Sequence, residues 1–109
     1  MSAITTHILD AVLGKPAGGI AVCLEKRTPE GWITLGGSVT DSDGRCRNLC
    51  ADASHGAHRL TFSVGLYFEQ RGRFSIYPEI TITFLVDGDQ HYHIPLLLTA
   101  NGYTTYRGS

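Results

Sequence analysis

In the segment "EITITFLV", Ile80, Ile82, Phe84 and Val86 fall on every second residue, with Thr81 and Thr83 between them. In "LTFSVGLYF", Leu60, Phe62, Val64, Leu66 and Phe68 do the same against Thr61, Ser63 and Gly65. Period two sends alternate side chains to opposite faces of an extended chain. One apolar face and one polar face is the signature of antiparallel sheet laid on a core. The pattern predicts strands over Leu60–Tyr67 and Glu79–Val86. Similar β-branched and aromatic segments predict strands over Ile4–Val12, Gly19–Arg27, Trp32–Thr40, His91–Leu98 and Gly102–Arg107. Between them lie "LGKPAGG", "TPEG", "DSDG", "DGDQ" and "TANG", strings that accept a positive φ or preset a bend. The reading is all-β, an antiparallel two-sheet sandwich or barrel. "YFEQRG" (67–72) has the residues for one short helix ending at Gly72. "RCRNLCADASHGAHR" has no clear period and reads as a loop with an edge strand.

With 109 residues the chain has material for one core, so residues 1–109 are expected to form a single domain. A net charge of −1 with no basic run gives no electrostatic support to nucleic-acid or membrane-surface binding. Apolar runs such as Ile94 to Leu98 are far below the roughly 20 residues that span a bilayer. Residues 1–12 lack the basic and apolar regions of a signal peptide. Cys23, Cys46 and Cys50 are odd in number, which argues against a closed disulfide framework and suits a reducing compartment. The expected location is the cytoplasm.

Alternation also sorts the polar groups. In "ITTHILD", Ile4, Thr6 and Ile8 suit the core, so Thr5, His7 and Leu9 face outward. In "HYHIPLLL", Tyr92, Ile94, Leu96 and Leu98 suit the core, so His91, His93, Pro95 and Leu97 share the outer face. Pro95 cannot donate to a ladder, and its amide side should meet a bulge or an edge. His7, His91 and His93 are acceptable zinc ligands, but no motif spacing supports a metal site. "DSDGR" lacks the six-residue core of a calcium loop and reads as a type I turn ending at Gly44, with Arg45 just beyond. His55 and His58 fall in the aperiodic segment and are expected to face solvent. From spacing alone the argument reaches a β-sandwich with an outward histidine face.

The order of three segments is more specific than any of them. "TTHILDAVLGKPAGGIAV", "DSDGR" and "HYHIPLLLTANGYTTYRGS" together resemble the transthyretin-like family, and in particular its enzyme branch. The closing "YRGS" is the signature that separates that branch from the hormone carrier. The resemblance implies a two-sheet sandwich that pairs by strand edges into a dimer and then a dimer of dimers. It implies an active site between dimers that hydrolyses 5-hydroxyisourate, giving 2-oxo-4-hydroxy-4-carboxy-5-ureidoimidazoline, with no cofactor. The residues it implies are His7, Arg45 and His93 for catalysis, with His7, Arg45, Tyr106, Arg107, Gly108 and Ser109 holding substrate. The alternative is a small-ligand carrier, against which a polar, cationic channel lined by His7, Arg45 and His93 argues.

Overall fold

The computed structural model describes residues 2–108, and Ser109 lies outside them. The strands are β1 (Ser2–Asp10), β2 (Lys15–Pro16), β3 (Ala21–Thr28), β4 (Gly31–Val39), β5 (Arg45–Ala53), β6 (Gly56–Phe62), β7 (Ile80–Val86), β8 (Tyr92–Thr99) and β9 (Gly102–Thr105). One helix, α1 (Val64–Glu69), joins β6 to β7. One sheet runs β4-β3-β6-β7. The other runs β1-β8-β9, with β5 and the short β2 both on the free edge of β1. Every pairing is antiparallel except β1 with β8, which run parallel over Ile4–Asp10 and Tyr92–Leu98.

The core lies between the sheets. Ile4, Ile8, Leu24, Leu60, Phe62, Leu96 and Leu98 are fully buried, from strands of both sheets. The alternation read for β1, β7 and β8 holds except at Pro95, which was expected on the outer face with His93 but is buried, with Gly108 packed against it. Thr6 is buried with Ile4 and Ile8 because its hydroxyl donates to the Ile94 carbonyl.

Three further readings are corrected. The strand expected over Leu60–Tyr67 stops at Phe62, and the helix expected at 67–72 starts at Val64. The helix buries Val64, Tyr67 and Phe68, a spacing of three and four, while Leu66 is 60% exposed. The apolar period thus changes from 2 to 3.6 inside "LTFSVGLYF". The aperiodic segment is largely strand. Register shifts at Ser2/Ile4 and Ile4/Thr6 interrupt the β1–β5 pairing, so β5 buries Cys46, Leu49 and Ala53 at irregular spacing. One extra β5 residue at the first shift and two at the second break the alternation that sequence reading looks for. His58 is fully buried rather than solvent-facing, because β6 begins at Gly56 and places it on the face of Leu60 and Phe62. His55 is exposed, with Nε2 accepting from the Gly88 amide.

A buried knot ties β1 to the helix. The Asp10 carboxylate, fully buried, accepts from Tyr67 Oη at 2.9 Å and Arg73 Nη1 at 2.7 Å, and from the amides of Val12 and Leu13. Burial pushes its pKa up, but the hydrogen bonds from Arg73, Leu13 and Tyr67 outweigh burial and hold it below the ordinary carboxylate value.

Candidate active site

The site is built on the outer face of the β5-β1-β8 sheet. In β1, His7 pairs with Arg45 of β5 on one side and with Pro95 of β8 on the other. Thr5 pairs with His93 one step along. Residues opposite each other in a ladder share a face, so Arg45, His7, Thr5, His91 and His93 meet there. Thr5, Thr6, Arg45, Arg47, His91 and His93 line a cavity of about 190 Å³.

Arg45 and His7 are held by the 41–44 turn. Gly44 N donates to Asp41 O at 2.9 Å, and Asp41 Oδ1 accepts from the amides of Asp43 and Arg45. Gly44 sits at φ 75° with the Ile8 carbonyl oxygen 2.3 Å from where a Cβ would stand, so both conformation and space demand glycine. His7 Nε2 lies 2.8 Å from Asp43 O. A carbonyl only accepts, so neutral His7 carries its proton on Nε2 and keeps a lone pair on Nδ1. Asp41 Oδ2 takes its ion pair from Arg47 at 2.9 Å. Among the described residues, no hydrogen bond or ion pair engages the Arg45 guanidinium.

His93 is half-buried, with Nδ1 2.8 Å from Thr5 Oγ1. Burial first, then the charge of Arg45 and the neighbouring His91 and His7, push its pKa below the ordinary imidazole value. His91 is exposed and reaches the same Thr5 oxygen through Nε2 at 2.7 Å. Thr5 was not among the sequence candidates. Alternation placed it on the histidine face, but only the parallel β1–β8 register sets it opposite His93.

Beyond β9 the chain parts from β8 and then returns. The Pro95 carbonyl accepts from Thr105 Oγ1 at 2.8 Å, and Gly108 N donates to His93 O at 2.8 Å. Pro95 has no N–H to offer this edge, so the ladder breaks beside it, where sequence reading expected a bulge or an edge. Tyr106 and Arg107, expected inside the last strand, occupy the break. Tyr106 is 54% exposed. Arg107 is drawn to Gln90 Oε1 at 2.8 Å, with its guanidinium 4.3 Å from the centre of the Tyr92 ring, and it does not line the cavity. A Cβ on Gly108 would stand 2.6 Å from His93 Cδ2.

The sequence model of the HIUase/Transthyretin family matches residues 4–108. The chain belongs to this family. Among its relatives, the 5-hydroxyisourate hydrolase of Caulobacter vibrioides is 43% identical over 115 residues, covering both chains completely. The solved 5-hydroxyisourate hydrolase of Klebsiella pneumoniae superposes with a TM-score of 0.90 at 37% identity, again over the whole of both chains. A sea bream transthyretin in complex with thyroxine superposes with a TM-score of 0.93 at 31% identity, covering 97% of this chain and 94% of that one. The hydrolase and the transthyretin therefore share one fold, and the fold by itself does not tell them apart.

Proposed function

We propose that this protein hydrolyses 5-hydroxyisourate, the product of urate oxidation. The observation that carries the reading is the convergence of His7, Arg45 and His93 on one sheet face, within a chain 43% identical to a named hydrolase over its full length. Opening the six-membered ring needs water to add to a ring carbonyl and the ring C–N bond then to break. Two neutral imidazoles with a free nitrogen can serve the proton transfers near pH 7. His7 offers Nδ1, and no group among the described residues hydrogen-bonds Nε2 of His93. Arg45 brings a planar cationic fork to an anionic substrate and to the oxyanion that forms on the attacked carbonyl. Gly108 holds the chain end against His93, which supports a part for the 106–109 segment in closing the site.

The assembly is a homotetramer in this reading, with the outer sheet face walling a site between subunits. The β7 and β9 edges are unpaired in the single chain and suit edge-to-edge dimers. Among the described residues no helix is long and apolar enough to cross a membrane, and the three free thiols suit a reducing, cytoplasmic setting. A carrier for an apolar hormone is disfavoured by histidines and an arginine on the same wall, the arginine without an ion pair among the described residues. The test is to generate 5-hydroxyisourate in situ with urate oxidase and follow its ultraviolet decay. Decay accelerated by this protein supports the reading; an unchanged rate overturns it.

A further inference from the structure

Thr5 stands between two imidazoles. Its Oγ1 is 2.8 Å from His93 Nδ1 and 2.7 Å from His91 Nε2, with the two ring centroids 6.1 Å apart. A threonine hydroxyl has one proton to donate and lone pairs with which to accept. Two neutral arrangements therefore satisfy both contacts. In one, Thr5 accepts from Nδ1–H of His93 and donates to Nε2 of His91, so that Nε2 of His93 bears a lone pair. In the other, Thr5 accepts from Nε2–H of His91 and donates to Nδ1 of His93, so that Nε2 of His93 bears the proton. The first makes His93 a base toward the cavity and the second makes it an acid.

We propose that Thr5 is a positioning residue that relays a proton between His93 and His91, letting His93 act as base and then as acid while staying neutral. The inference rests on the hydrolase reading above. As the water oxygen bonds to the ring carbonyl, a water proton passes to Nε2 of His93. The Nδ1 proton passes to Thr5 Oγ1, and the Thr5 hydroxyl proton passes to Nε2 of His91. When the ring C–N bond breaks, the reverse passage delivers the proton through Nε2 of His93 to the leaving nitrogen. Charge comes to rest on His91, which is exposed, and not on half-buried His93. His93 faces His7 from β1, Arg45 and Arg47 from β5 and His91 from its own strand. None of these favours an imidazolium at His93, and its lowered pKa agrees.

Thr5→Val removes the hydroxyl and keeps the shape, whereas Thr5→Ser keeps the hydroxyl. We expect Thr5→Val to lower kcat about 10- to 100-fold, with KM little changed and Thr5→Ser within about threefold of wild type. Combining Thr5→Val with His91→Phe should cost no more than Thr5→Val alone, because both break one chain. An unchanged kcat in Thr5→Val, an equally slow Thr5→Ser, or losses that multiply in the double variant would each overturn the relay. On the wild type alone, kcat in H2O/D2O mixtures should bow below a straight line, since more than one proton moves. A linear dependence overturns the proposal even if no variant folds. Nitrogen-15 NMR of the imidazoles reads the chain without activity. Thr5→Val should alter the tautomers of both His91 and His93, and a change confined to one ring or absent counts against the relay. A wild-type protein inert toward the substrate overturns the hydrolase reading instead, and the NMR arm then decides whether the hydrogen-bond chain exists.

Discussion

Gly108 lies against the edge of the His93 ring, where a methyl group would meet Cδ2 at 2.6 Å and Pro95 Cγ at 3.2 Å. Its role is close approach, and the flexibility for which glycine is usually chosen is secondary. Gly108→Ala should push His93 out of place and cost about 10²-fold in kcat, the scale of an ångström's misplacement, while the melting temperature stays near wild type. His7→Ala and His93→Ala should each lower kcat by roughly 10²-fold or more, with His91→Ala costing less. Equal, small losses at all three would mark a generic polar surface. Because the His93 pKa is held below the ordinary value of about 6.5, the acid limb of kcat/KM should lie below that pH. His58 follows the same sign in stability. It is buried, stacks on Phe84 and leaves Nε2 without a partner, and burial lowers its pKa. Its contribution is fully present above the unfolded value near ~6.5 and is lost as pH falls through the folded one. His58→Phe should therefore raise the melting temperature more at pH 5.5 than at pH 8.

At the scale of elements, α1 is where period and position separate. Leu60 and Phe62 continue the two-residue alternation, but Val64, Tyr67 and Phe68 follow the helical one, and Tyr67 must turn inward to reach Asp10. Arg73, just past the helix, completes the knot and stacks 4.8 Å from the Phe68 ring. The Asp10 carboxyl is held below its ordinary pKa, so its contribution is present above about 4 and is lost as pH falls through the folded value. Removing the cation leaves a buried charge with neutral donors alone, Tyr67 and the amides of Val12 and Leu13. Arg73→Leu should cost about 3 kcal/mol in urea unfolding at pH 7. The deficit should shrink toward pH 4, because losing Arg73 raises the Asp10 pKa and the acid goes neutral there. A deficit independent of pH would assign Arg73 to packing only.

For the whole molecule, the 17% charged fraction and the unpaired edges of β7 and β9 leave surface to cover. Light scattering at micromolar concentration should give about four times the 11.8 kDa chain mass, and a clean monomer would count against an intersubunit site. Deleting residues 106–109 should abolish hydrolysis with little change in circular dichroism or melting temperature. The core faces of β8 lie upstream, and among the described residues of the segment Gly108 touches His93 and Arg107 touches Gln90, His91 and Tyr92. A truncated protein that stays fully active would remove that segment from the site.

Alternation alone determined that Ile4, Thr6 and Ile8, and Tyr92, Ile94, Leu96 and Leu98, turn inward, because a strand's period of two leaves no other choice once one face is apolar. It thereby also determined that His7, His91 and His93 face out, and the order of "TTH", "DGR" and "YRGS" pointed to the family. Where one strand must read against another, local pattern carries no information. The bulges of β5 hid a nine-residue strand, and the missed start of β6 left buried His58 among the solvent-facing groups. The parallel register of β1 and β8 decided that Thr5 would bridge His93 and His91. The break beside Pro95 decided that Arg107 would turn to Gln90 and Gly108 to His93. Each of these depends on which backbone atoms face each other across a sheet, a relation between residues as many as 88 apart in the chain.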